Sequence, residues 1–450
     1  MTATRPSPAG SVPERSAGSV PERSAGSVPE RSGRLVSHTR VVPDVGDLLE
    51  ALGHDGAAWL HDGGGLVTSG VAARIDVGPG PDRFRRAADD VAAVLGAIDS
   101  DDPLGLPGTG PLAVGALPFH SWARGELVVP AVVAGRTADG TAWVTETGWA
   151  DGRDGSGAST TGGRLSQLSI ARENDDDADA GDRDDSGRQA WTAAVHEAVT
   201  RIASGPLAKV VLAREVVVDG GRPFDRREIL DRLRAADPTS FTYAVGGFVG
   251  ASPELLVRRR GSQVLSRPMA GTTTRGTTPA DDDRMVAALA ASPKEASEHA
   301  LVVGAVREAL QPVCDQLTAG ARPDAVRLAT VTHLATTVAG HLIDPAPSAL
   351  ALAGLLHPTP AVGGLPRVEA LAAIAELEAF DRGLYAGPVG WVDSRGDGEW
   401  AVALRCARLD GPRARLVAGA GIMADSDPDA EWAETEAKLE PMLRALATPE

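Results

Sequence analysis

The chain has 450 residues, 43% of them hydrophobic and 23% charged, with a formal net charge of -17. That is the balance of a soluble globular protein. Such acidity excludes broad binding to nucleic acid, which calls for a basic stripe, and an anionic ligand would need cations placed locally. No run approaches the roughly 18 apolar residues that cross a bilayer, the nearest being Ala349–Leu356. The Pro/Ser/Arg-rich start has no apolar segment of a secretory signal. The two cysteines, Cys314 and Cys406, lie far apart and in no metal-like spacing. A reducing cytoplasm is expected, with no membrane partner.

In chain order, residues 1–33 hold three tandem copies of AGSVPERS, rich in Gly, Ser and Pro, and read as a disordered tail. Residues 34–149 carry short apolar runs such as AAWL, PLAVGALPF and LVVPAVVAG, broken by Gly and Pro. These read as antiparallel strands, with one helix near 82–98. The stretch 150–188 is crowded with Gly, Ser and Asp and reads as an acidic, solvated insert. From 189 to 450 the signals strengthen. Runs at 208–218, 241–250, 254–258, 386–393, 400–408 and 413–420 predict strands. Periodic segments at 189–204, 226–235, 281–291, 297–318, 366–380 and 429–446 predict helices. Strands and helices come in blocks, which favours an α+β fold over a doubly wound parallel sheet.

Several residues could do chemistry. On the last helix Glu431, Glu434 and Lys438 share a face; the spacing suits a solvated Glu-to-Lys pair as well as a site. Glu295, Glu298 and His299 open the helix in SPKEASEHALVV, where acids either complement the helix dipole or ligate a hard cation. Lys209 heads the strand AKVVLARE. Burial there would disfavour its charged form and suit a general base, unless the side chain snorkels to water. Glu254, in GASPELLVRR, begins an apolar strand and is either at the rim or kept protonated by burial, as a general acid requires. The turns PMAGTTTRG, HPTPAVGG and AGAGI bring glycines where backbone amides can meet an anion. Arg405, in VALRCARL, is either a carboxylate clamp or an ordinary strand arginine.

Taken together in order, KVVLARE, GASPELL, PMAGTTTRG, SEHALVV, HLATTVAG, LLHPTPAVGGLP, AELEAFDRGLYAGPVGW, EWAVALRCA, AGAGI and EWAETEAKLEPM resemble the chorismate-binding enzymes. That family includes the isochorismate, salicylate, anthranilate and aminodeoxychorismate synthases. The resemblance covers about 190–447 strongly and 34–149 loosely. It implies one large α+β domain over 34–450, with two packed, largely antiparallel β-sheets surrounded by helices.

The resemblance further implies Mg²⁺ held by Glu298 and Glu434 with Glu431 assisting. It implies chorismate carboxylates held by Arg405, Lys438 and amides near Gly271, Thr272, Gly419 and Gly421. His333, Ala361 and Tyr385 would also face the substrate. Lys209 would act as general base on water and Glu254 as general acid. The lysine sets the chain apart from anthranilate synthase component I, an ammonia-using chorismate aminase that generally lacks it. Ala270 stands where aminodeoxychorismate synthases typically carry a lysine. Ala361, with HPTPAVGG and IAELEAFDRGLYAGPVGW, resembles siderophore-type isochorismate synthases more than salicylate synthases, the nearer alternative. The implied enzyme is a monomeric isomerase whose product supplies siderophore, menaquinone or salicylate synthesis.

Overall fold

The strand Gly125–Arg136 decides the architecture. One edge runs antiparallel to Gly64–Val77 along its whole length. Its other edge is shared: residues 132–136 pair with Ala142–Trp149, and 126–128 with Leu112–Ala116. Two arms of strands therefore leave from one element.

The first arm passes from Gly64–Val77 through Ala57–His61, Phe241–Val245, Phe248–Ser252, Cys406–Asp410 and Arg413–Ile422 to Lys209–Asp219. The second passes from Leu112–Ala116 through Pro388–Asp393, Gly398–Val402, Leu255–Arg260, Gln263–Arg267 and Val338–Leu342 to Cys314–Ala319. All of these pairings are antiparallel. Trp59, Tyr243 and Leu212 of the first arm share one core with Val257, Val389 and Trp400 of the second. Trp59 Nε1 also donates to Glu399 Oε2 at 2.9 Å across the two arms. Strands such as Pro388–Asp393 and Gly398–Val402 are buried throughout, which is why their sequences lack polar alternation. The expected α+β fold with two packed, largely antiparallel layers is what the chain adopts.

A further three-stranded sheet, Met269–Thr274, Asp324–Arg327 and Val331–Ala335, stands apart from both arms. Asp282 clasps it. Its carboxylate accepts from Arg275 Nε at 2.6 Å, Gly276 N at 3.0 Å and Arg327 Nε at 3.0 Å. These partners, Arg275 first, hold its pKa down at about 2.

The computed structural model describes residues 33–150 and 180–447. The AGSVPERS repeats and most of the acidic stretch lie outside the described residues. Contacts gather the described residues from Arg34 onward into one compact unit. The expected insert 150–188 ends sooner than its composition suggests, because helix Ala180–Ser204 begins inside it. Helix growth from the amphipathic part adds a bond per residue and overrides a polar composition.

The helix expected over 297–318 is instead Pro293–Leu310. Ser292 caps it by accepting from Glu295 N. Pro312 cannot extend the backbone ladder, and Cys314–Ala319 leaves to become an edge strand. The runs at 241–250 and 400–408 each divide in two. Gly246, with φ +56°, makes one break, and Arg405, at φ +45°, the other. Among the described residues no helix is long and apolar enough to cross a membrane.

Candidate active site

A cavity of about 650 Å³, counting its open mouth, lies where the end of the first arm, the small sheet and the helices Pro293–Leu310 and Pro428–Leu446 meet. Glu254, Gly271, Thr272, Glu298, His333 and Ala361 line it, with Tyr385, Arg405, Gly419, Gly421, Glu434 and Lys438 on the remaining walls. Two residues singled out in the sequence, Lys209 and Glu431, stand just behind these walls.

Lys209 is 1% exposed and its Nζ lies 2.7 Å from Glu298 Oε1. It does not snorkel to water, and it does not sit in the purely apolar surroundings expected for an uncharged amine. Burial pushes the Glu298 carboxyl up, but the charge and hydrogen bond of Lys209, with Lys438 and Lys294, more than reverse this and hold it below its usual range. Gly421 leaves room for the arrangement: a Cβ there would stand 3.0 Å from Glu298 Oε1 and 3.1 Å from Lys209 Cε, and both would have to give by a few tenths of an ångström.

Glu434 Oε1 lies 2.5 Å from Lys438 Nζ, which also donates to Gly419 O at 2.9 Å. The partner register of strand Arg413–Ile422 with Cys406–Asp410 ends at Val417, so beyond it this edge faces the cavity. Gly419 O uses that edge, and strand alternation places the amides of Gly419 and Gly421 along it too. Glu431 accepts from Ser426 Oγ at 2.6 Å; burial first, and then the charge of Glu434, push it up to about 7. Burial also raises Glu295, with the charges of Glu298 and Glu434 adding to it.

Four carboxylates thus crowd one corner, two of them, Glu298 and Glu434, paired with Lys209 and Lys438. Among the described residues no three His, Cys, Asp or Glu side chains cage an ion by themselves. Magnesium asks for less, taking one or two carboxylates and completing its shell with water and ligand oxygens. Glu298 and Glu434 could supply those carboxylates.

On the other side of the cavity Glu254 is 3% exposed. Burial pushes its carboxyl up to about 7 against the opposing charges of Arg405, Lys209 and Lys438. Arg405 holds a left-handed backbone and points its guanidinium to His333, with Nη2 2.7 Å from Nε2. Burial, then Arg405 and Lys438, keep the His333 pKa well below the ordinary value, so the ring is neutral. Its Nε2 therefore accepts from Arg405, and Nδ1–H donates to Thr272 Oγ1 at 3.1 Å.

The Thr272 amide, expected to meet a substrate carboxylate, is already taken by Glu295 Oε2 at 3.0 Å. The first-turn acids explain this: Glu295 serves the turn at Gly271 while Glu298 serves the cavity. His299 brackets Ala270 O and Thr336 Oγ1 and has a packing role. Glu378 and Arg382, which support the cavity wall from behind, carried no signal beyond an i,i+4 pair.

The chorismate binding enzyme family model matches residues 59–447. The chain belongs to the chorismate-binding enzyme family.

Within the family, MenF of Mycobacterium tuberculosis H37Rv is 49% identical over 255 residues, which are 54% of this chain and 68% of that protein. The isochorismate synthase MenF of Bacillus subtilis is 35% identical over 335 residues, 73% of this chain and 71% of its own. Among solved structures, DhbC from Bacillus anthracis superposes with a TM-score of 0.72 at 31% identity, covering 89% of this chain and 98% of that one. The ordered motifs are thus those of a chorismate-binding enzyme.

Proposed function

We propose that the chain is a Mg²⁺-dependent isochorismate synthase, which adds water at carbon 2 of chorismate and expels the hydroxyl at carbon 4. The observation that carries the reading is Glu254, a carboxyl 3% exposed and raised to about 7, in a cavity shared with Arg405 and Lys438. An acid poised near neutral pH can hand its proton to a departing hydroxyl.

Lys438, Arg405 and the amides of Gly419 and Gly421 supply the local cations and donors that a dianionic substrate needs in so acidic a protein. Arg405 is pre-aimed by neutral His333, so little ordering is left for the moment of binding. Glu298 and Glu434, with Glu431 behind them, are the residues that would hold Mg²⁺. That ion would supply Lewis-acid stabilisation of charge on the ring carboxylate. Lys209 takes the proton from the attacking water. It can do so only uncharged, and its Nζ stands 2.7 Å from Glu298 Oε1. Water enters at carbon 2, one proton leaves through Lys209 and another reaches the carbon 4 hydroxyl from Glu254, so water is both consumed and released.

The buried, unbridged Cys314 and Cys406 support a reducing cytoplasm as the site of action, and the reading takes the enzyme as a monomer with chorismate as its one partner. Purified protein with Mg²⁺ and chorismate tests it, products being followed by chromatography. Isochorismate without pyruvate is expected. Equal pyruvate and salicylate would make it a salicylate synthase, and a product formed only with ammonia would make it a chorismate aminase.

A further inference from the structure

The strand Lys209–Asp219 has a complete antiparallel partner on one edge, Arg413–Ile422. On the other edge its partner is only two residues long: Gly364 opposes Val210 and Leu365 opposes Lys209. The last backbone bond there runs from Val211 N to Gly363 O at 2.9 Å. Past that point Val211 O and Ala213 N would be left without strand partners in the interior, at a cost of about 1–3 kcal/mol for each orphaned group.

Two side chains take the place of the missing strand. Arg382 Nη2 donates to Val211 O at 2.7 Å, and Glu378 Oε1 accepts from Ala213 N at 2.8 Å. Arg382 and Glu378 join each other through two bonds, Nη2 to Oε1 at 2.5 Å and Nε to Oε2 at 2.9 Å. Their side chains are 0% and 3% exposed. The remaining nitrogen, Nη1, donates to Val362 O at 2.8 Å. The guanidinium also lies 4.4 Å from the Phe119 ring centroid and 5.9 Å from that of Tyr385. Neither Glu378 nor Arg382 touches the cavity, yet Val211, Val362 and Tyr385, which they hold, are all part of its wall.

We propose that Glu378 and Arg382 are positioning residues: a buried ion pair that substitutes for a strand and fixes the spacing between the lysine-bearing strand and the 361–362 wall of the active site. The proposal rests on the isochorismate synthase reading only for its kinetic part. A planar fork can satisfy two carbonyls and a carboxylate at once, which an ammonium cannot, so Arg382→Lys keeps the charge and loses the register.

The experiment uses the full chain, with Arg382→Lys, the double change Glu378→Gln with Arg382→Met, which leaves no charge buried, and Arg258→Lys as control. Arg258 pairs with Glu399 at 2.5 Å, away from the cavity. Amide hydrogen exchange is read on peptide 209–213 in chorismate-free protein, and kcat and KM are read with chorismate, all below the unfolding temperature. Expected for Arg382→Lys is exchange faster by about tenfold in that peptide, with the 398–402 strand unchanged. Expected with it is a kcat lowered by at least about tenfold, as a misplaced catalytic group gives.

Arg258→Lys should lower thermal stability and leave both unchanged. Unaltered exchange, or a kcat and KM within about twofold of the parent in folded Arg382→Lys or the folded double variant, overturns the proposal. If neither variant folds, the pair is a folding element and the proposal falls too. Absence of turnover in the unaltered chain defeats the functional reading instead, and exchange alone then decides this one.

Discussion

Lys209 Nζ and Glu298 Oε1 stand 2.7 Å apart, with the lysine side chain 1% exposed and the carboxylate 13%. One oxygen thereby ties the proposed base to a carboxylate proposed for Mg²⁺. Lys209→Gln keeps a donor to Glu298 but cannot take a proton. It should lower kcat by about 10²–10⁴ while the calorimetric affinity for chorismate stays near that of the parent. Lys209→Ala should also unfold earlier, since an uncompensated buried charge costs about 3–5 kcal/mol. Retained turnover in Lys209→Gln would remove the lysine from the mechanism.

On the proposed mechanism Glu254 sets the alkaline limb of activity. Its proton is needed on the acid and is held with a pKa of about 7 because burial disfavours the charge. The rate with chorismate should fall about tenfold for each pH step of one above that value, and Glu254→Gln should be inactive throughout.

The same carboxyl affects stability. Its folded pKa is raised from 4.5 to about 7, so between those values the native state binds the proton that the unfolded chain has lost. Its contribution is fully present below pH 4.5 and is lost as pH rises through 7. Glu254→Gln should gain on the parent protein between pH 5 and pH 8, by at most about 3 kcal/mol. Urea midpoints at the two pH values measure it, and parallel shifts in both proteins would contradict it.

His333 gives Arg405 a fixed direction through Nε2. His333→Ala should raise KM for chorismate by about tenfold, the scale of one hydrogen bond to a charged group. Thr272→Val frees the tautomer and should have a smaller effect in the same direction. An unchanged KM in His333→Ala would show that Arg405 needs no support.

Lys438 Nζ lies 2.5 Å from Glu434 Oε1, so at the proposed Mg²⁺ site it would compete with the ion for that carboxylate. Lys438→Met should tighten Mg²⁺ binding in calorimetry without substrate, by several-fold to about tenfold, and weaken chorismate binding. Weaker metal binding in that variant would place the ion elsewhere.

Much of this site was legible because its residues sit in glycine- and proline-marked motifs whose order is distinctive. Glu254, Glu298, Arg405 and Glu434 reach one cavity as their motifs implied. Pairings were not legible. Lys209 and Glu298 are 89 positions apart, and sequence shows that both exist, not which oxygen faces which nitrogen. Thr272 illustrates the same limit: its motif suggests a free amide, and only the fold brings Glu295 onto it. Arg405 breaks a run that reads as one strand, because a left-handed arginine leaves no compositional trace. The helix from Pro293 ends early for a local reason, Pro312, that the apolar periodicity outvoted.

The single strand Gly125–Arg136 belongs to both arms, and Ala57–His61 and Leu112–Ala116 find partners at Phe241–Val245 and Pro388–Asp393. The segments before and after the acidic stretch are therefore interleaved like the fingers of two hands. Expressed as separate polypeptides ending at Ala150 and starting at Ala180, each would expose raw sheet edges and clump. Mixed together, they should knit back into one working enzyme, since the seam that matters runs through hydrogen bonds and not through the covalent link.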